Sequence, residues 1–179
     1  TDHPFPTLSA DSPDFKENGE GFKGSVLAPF NFMVIKGLEK YQRYAFAREC
    51  SIRHLYYILE ALSPADSKRK GDLYEAYLPC QEGPATCRRE KDFPRKRFLH
   101  FTGLSTVALM IENVIGLNIS LPRKTVDWII PNLEIMGIEK LSLKRNLITI
   151  LSNKSKRGWE IQMESEKLYY FTINILDQK

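Results

Sequence analysis

The order of hydrophobic periods along the chain predicts a mainly α fold closed by a β tail. Apolar stripes at helical spacing run from Pro29 to Ile115, and from Val126 the period falls to two. No internal repeat or low-complexity tract breaks the order of helices first and strands last. The chain therefore divides into an α segment, 1–120, and a β-rich extension, 121–179.

Residues 1–24 contain Pro4, Pro6, Pro13, Gly19, Gly21 and Gly24 without a sustained period, the pattern of an ordered loop or a cut-off segment. Pro29 suits a first helical turn, and Phe30, Met33, Val34, Gly37, Leu38 and Tyr41 supply the stripe of a first helix. Ala47, Cys50, Ser51, His54, Leu55, Ile58, Leu59 and Leu62 form a second stripe that Ser63-Pro64 stops, giving an antiparallel helical hairpin. A long excursion from Ala65 to Leu99 has the patch Leu73-Tyr74-Glu75-Ala76-Tyr77 at its centre. An excursion of that length in a compact domain usually carries function. A third helix is expected from Gly103 to Ile115, with Leu104, Val107, Ala108, Ile111 and Ile115 inward and Gly116 as its stop. Runs at 126–130, 138–143, 147–151, 159–163 and 168–175 read as an antiparallel β unit. So few helices with such wide apolar stripes suggest a piece of a larger helical assembly.

Composition narrows the function classes. A 179-residue chain with 42% apolar residues can bury about 70% of its unfolded surface. With 27% charged residues and a net charge of +4, it is neither a disordered polyelectrolyte nor a strongly basic nucleic-acid wrapper. No run of about 18 apolar residues occurs, so no membrane partner is expected, and the start lacks the pattern of a signal peptide. Cys50, Cys80 and Cys87 lack metal-ligand spacing, and neither metal nor other cofactor is expected. Cys80 and Cys87 are compatible with a short disulfide-closed loop or with free thiols.

Four stretches carry a resemblance: HPFPTLSAD at 3–11, GFKGSVLAPFNFMVIKGLEKY at 21–41, GDLYEAYLP at 71–79 and FTGLSTVALMIENVIGL at 101–117. In this order and spacing, the chain resembles the C-terminal part of an (α/α)₆-barrel glycoside hydrolase. The nearest groups are the mannosylglycerate-hydrolase-like and family 63 α-glucosidase-like proteins, with trehalases further off. The resemblance implies the last part of a toroid of helical hairpins followed by the β extension, in a parent that hydrolyses α-linked glucosyl or mannosyl units with inversion. It favours a periplasmic or extracellular parent, although the compartment stays open. An inverting enzyme needs a general acid and a general base about 6.5–9.5 Å apart, with room for water between them. The base of the relatives lies in a motif resembling LWENY or LVEKY, and its glutamate matches Glu75 of LYEAY. Their acid is an aspartate upstream of anything matching residue 1, so the isolated chain is expected to be inactive. The expected partners are a carbohydrate and either the remainder of the barrel or a second copy of the chain.

The resemblance also implies sugar-binding roles for Phe22, Lys23, Asn31, Tyr74 and Phe101. Relatives show a pattern resembling YWRGGVWAPTNYM where this chain has Phe22, Lys23, Leu27, Phe30 and Phe32, with Gly24, Pro29 and Asn31 retained. Their GWTGLG becomes HFTGLS, with Phe101 replacing tryptophan. Rings stack on sugar faces, and an arginine grips hydroxyls with a fork that lysine lacks, so recognition is altered at these positions. The alternative is a noncatalytic sugar-binding or interaction module. Asn31 and Thr102 can equally serve as helix caps, His3 as a loop brace and His54 as a core histidine. The run Arg88–Arg97 holds six basic residues and one aromatic, able to grip phosphates or to lie as a solvated loop. Glu90 and Asp92 dilute it, and no nucleic-acid partner is expected.

Overall fold

The computed structural model describes residues 1–64, 70–86, 93–131 and 135–176. It divides into two compact units, Thr1–Met110 and Ile111–Lys179.

The first unit contains a short ribbon, β1 (Val26–Leu27) with β2 (Ala76–Tyr77), and helices α1 (Ala28–Lys40), α2 (Tyr44–Leu62) and α3 (Leu104–Leu109). Pro29 lies in the first turn of α1, where its missing N–H is not needed. The end of α1 is set by backbone bonds from Gln42 N–H to the Glu39 carbonyl and from Arg43 N–H to the Leu38 carbonyl. This is a Schellman closure, with Gln42 at φ 59° where glycine is usual. The chain then enters α2, which packs against α1 and buries Ala47, Cys50, Ser51, His54, Leu55 and Ile58. Val26, Ile58, Ala61, Tyr74 and Tyr77 form the core of this unit.

The N-terminal loop is fastened to this core by a histidine pair. His3 Nδ1 lies 3.2 Å from the Leu78 carbonyl, which can only accept, so Nδ1 carries the proton and Nε2 presents a lone pair. His54 Nδ1 then donates to His3 Nε2 at 2.7 Å, and the buried His54 Nε2 has no partner among the described residues. Tyr57 stacks on His3 at 4.5 Å between ring centroids. Burial pushes the His54 pKa down to about 3, and burial together with His54 lowers that of His3.

Among the described residues, the second unit contains six strands: β3 (Leu117–Ser120), β4 (Thr125–Ile130), β5 (Ile135–Ser142), β6 (Leu147–Ser155), β7 (Gly158–Ser165) and β8 (Tyr170–Ile175). They form two three-stranded sheets, β3-β4-β8 and β5-β6-β7. Alternation directs Val126, Trp128 and Ile130 of β4 and Ile148 and Ile150 of β6 into one core, joined by Leu117. Trp128 is buried, and its indole N–H donates to the Ile115 carbonyl at 2.9 Å. Gly116 has φ +88°, and a Cβ there would strike the Ile129 carbonyl; the stop expected at this glycine is present, with helical structure ending at Ile115.

Several expectations are corrected. The described structure is 30% helix and 30% strand in three sheets, a mixed α/β fold rather than a mainly α portion of a helical toroid with a small tail. The strands extend through polar, exposed residues such as Asn153–Ser155 and Glu164, which alternation does not mark, and β3 is an additional strand. The tail is not wholly antiparallel, because β4 pairs with β8 in parallel. The third helix is α-helical only over Leu104–Leu109, with π-helical turns at Leu99–Gly103 and Met110–Ile115. Two stripes face the other way from expectation. Helix α1 buries Ala28, Asn31 and Ile35 and exposes Phe30, Met33 and Val34, while α3 buries Ser105 and Leu109 and exposes Leu104 and Val107. Cys87 and Arg88–Asp92 lie outside the described residues, and with them the disulfide question and half of the basic run.

Candidate active site

Glu75 immediately precedes β2, and its surroundings begin with backbone pairing. Leu27 faces Ala76 and Val26 faces Tyr77 in antiparallel register, so Glu75 lies level with the first turn of α1. On its other side the segment meets residues 95–98. Tyr74 bridges Lys96, Glu75 N–H donates to the Arg95 carbonyl at 3.0 Å, and Phe98 N–H donates to the Leu73 carbonyl at 3.0 Å. The Thr102 hydroxyl donates to the Tyr74 carbonyl at 2.8 Å, and Tyr74 N–H donates to the Tyr77 hydroxyl at 3.1 Å. Glu75 thus sits at a bend between the Tyr74–Lys96 bridge and β2, on a segment bonded from both edges.

Its carboxylate is gripped by Arg95. Arg95 Nε donates to Oε2 at 2.8 Å and Nη2 to Oε1 at 2.7 Å, while the Arg95 backbone N–H reaches Oε2 at 3.4 Å. The guanidinium also lies 4.9 Å from the centroid of the Phe98 ring. Hydrogen bonding from Arg95 holds the Glu75 carboxyl below the usual carboxylate range, against the opposite pull of partial burial. The Glu75 side chain keeps 20% of its surface open, enough for a water molecule to reach it.

The residues expected around Glu75 are only partly gathered. Tyr74 is a buried neighbour, held by its backbone bonds and by Tyr77. Phe101, on the π-helical turn one residue before Thr102, lines an apolar groove of about 640 Å³ with Pro29, Phe32, Met33, His100 and Leu104. Phe22 and Lys23 belong to the turn that enters β1 at the end where Tyr77 leaves, so the length of the ribbon separates them from Glu75. Asn31 is fully buried, and its amide donates to the Phe5 carbonyl at 3.3 Å, bracing the N-terminal loop. Arg95 was not anticipated as a partner of Glu75. It lies in the basic run, twenty residues along the chain, and no local spacing connects the two. No group of three or more potential metal-ligating side chains occurs among the described residues, and none of their helices is long and apolar enough to cross a membrane.

Residues 116–179 match the family model described as trehalase, C-terminal domain. The match supports a relation to trehalase-like glycosidases and a glycoside-hydrolase-like origin for this part of the chain. An uncharacterized protein of Borreliella burgdorferi (strain ATCC 35210 / DSM 4680 / CIP 102532 / B31) is 59% identical over 180 residues, which cover all of this chain and 38% of that protein. The chain therefore spans well under half the length of that relative. No solved structure matches.

Proposed function

We propose that the chain is the C-terminal portion of a longer inverting glycoside hydrolase acting on α-linked glucosyl or mannosyl units, and that Glu75 is its water-activating base. The observation that carries the reading is the trehalase C-terminal domain match at 116–179, downstream of a carboxylate in a loop. Mannosylglycerate-hydrolase-like or family 63-like specificity rests on the four ordered stretches at 3–11, 21–41, 71–79 and 101–117.

A base must be ionised, reachable by water and fixed in direction. Glu75 meets these needs through its Arg95 contact, its open edge and its pinned segment. The general acid then comes from the part of the longer protein outside these residues, so the chain alone has no turnover. The same missing part would cover the apolar face of α1 and α3, an occupant consistent with the greater length of the Borreliella relative.

The test uses the full-length protein carrying this chain, assayed on 4-nitrophenyl α-glucoside, 4-nitrophenyl α-mannoside and trehalose. Glu75→Gln keeps the shape of the side chain and removes its basicity. It is expected to lower kcat at least about a hundredfold with KM little changed, in line with a lost general base. Activity that survives this change, or that is instead destroyed by Asp72→Asn, overturns the assignment.

A further inference from the structure

Counting lone pairs on Glu75 separates its two oxygens. A carboxylate offers about four acceptor positions, two on each oxygen. Oε2 receives both the Arg95 Nε–H and the Arg95 backbone N–H, whereas Oε1 receives only Nη2. Among the described residues, Oε1 therefore keeps an open acceptor position. The guanidinium is itself constrained. Its own backbone is bonded to that of Glu75, Lys96 bridges Tyr74, and the Phe98 ring lies against its face. A bidentate fork from a segment paired in register fixes the direction of a carboxylate as well as its charge.

We propose that Arg95 is the positioning residue of the hydrolytic site, presenting Oε1 of Glu75 as the atom that takes the proton from the attacking water. The inference rests on the reading of Glu75 as the base. In the step, Oε1 accepts a water proton while the water oxygen bonds to the anomeric carbon. The glycosidic bond breaks with its electron pair passing to the leaving oxygen, which the general acid protonates. Arg95 exchanges no proton.

Among the described residues, the ionisable groups on the segments flanking Glu75 are Asp72, Tyr74 and Tyr77 on its own side and Arg95, Lys96, Arg97 and His100 on the facing segment and the following turn. Asp72 is occupied with the backbone N–H groups of Leu73 and Arg97. Arg95 is the neighbour that holds the carboxyl down, and partial burial acts against it. Removing the guanidinium leaves burial opposed only by the Arg95 backbone N–H, so the proton is held to higher pH.

The experiment compares pH profiles of kcat/KM for the full-length protein and its Arg95→Met, Arg95→Lys and Glu75→Gln variants on 4-nitrophenyl α-glucoside, with trehalose and the α-mannoside as further substrates. Arg95→Met is expected to move the acidic limb to higher pH and to lower kcat by about tenfold to a hundredfold, the loss associated with a misplaced reacting group. Arg95→Lys returns the positive charge without the fork, and is expected to restore much of the limb while kcat stays low. ¹³C-detected titration of the Glu75 carboxyl in the same proteins reads the ion pair independently of turnover, and far-UV circular dichroism verifies folding. Loss of activity in Glu75→Gln with the acidic limb unmoved in a folded Arg95→Met protein overturns the role of Arg95 and leaves Glu75 standing. Activity that survives Glu75→Gln overturns both.

Discussion

At the scale of single residues, Gln42 and the His3–His54 pair make predictions that need no assumption about catalysis. Gln42 holds the left-handed conformation at the end of α1, which costs a side-chain-bearing residue about 1–2 kcal/mol. Glycine removes that strain and returns roughly 0.5–1 kcal/mol to the unfolded chain as entropy. Gln42→Gly is therefore expected to stabilise the first unit by about 0.5–1 kcal/mol in urea denaturation, and an unchanged or lower midpoint contradicts the closure described here. The His3–His54 pair predicts acid lability. His54 titrates near 3 when folded and near 6.5 when unfolded, so between these values the unfolded chain binds a proton that the folded chain refuses. Stability contributed by the neutral pair is complete above about pH 6.5 and falls with pH below it, by about 1.4 kcal/mol per pH unit for each buried histidine. Urea midpoints followed by helical ellipticity should drop between pH 7.5 and pH 5.5; a flat midpoint would show that the rings are not buried neutral. His54 was readable from sequence as a core histidine, because it lies on the apolar stripe of α2. Its partner was not, since His3 is 51 residues away on a loop without periodicity. Glu75 stood out as a candidate through its motif, whereas Arg95, which the structure pairs with it, was hidden in a run whose charge suggested solvent.

At the scale of elements, the sequence located helices better than it oriented them. Helices α1 and α3 carry apolar residues on more than one face, so periodicity finds a stripe without saying which stripe is covered. Asn31 and Ser105 are buried where apolar neighbours were expected because Asn31 ties down the Phe5 backbone and the Ser105 hydroxyl donates to the Thr102 carbonyl. The residues left outside, Met33 at 60% and Leu104 at 71% exposure, lie on the groove that also holds Phe101. Such a face should bind a hydrophobic dye in the isolated chain. Met33→Glu with Leu104→Glu is expected to cut anilinonaphthalene-sulfonate fluorescence by at least about half while the helical signal stays constant. Equal dye binding before and after would place the apolar surface elsewhere. Among the strands, β4 and the apolar half of β6 were plain from alternation. The parallel partnership of β4 with β8 was not, because a strand's pattern records which face is buried and not which neighbour covers its edge.

At the scale of the whole molecule, length and composition indicated that the chain can build cores, and the change of period separated helical from extended sequence. The proportions were misjudged because exposed strands of Lys, Glu and Ser have no apolar signature. The ordered motifs pointed toward glycosidases, and the trehalase C-terminal match upholds that relation at the coarser level. The β4–β8 pairing carries a consequence for how the second unit assembles. Its register joins Thr125 to Tyr170 and Ile130 to Ile175, with β5, β6 and β7 all lying between them in the chain. The β5-β6-β7 meander needs only local hairpins, whereas β8 must close a long loop before its first hydrogen bond offsets any entropy. The meander is therefore the natural nucleus, and β8 is the last strand to dock. Until it does, the edge of β4 stays open to pairing with the β8 of another molecule, so slow closure and strand exchange between copies have a common origin in this one parallel contact.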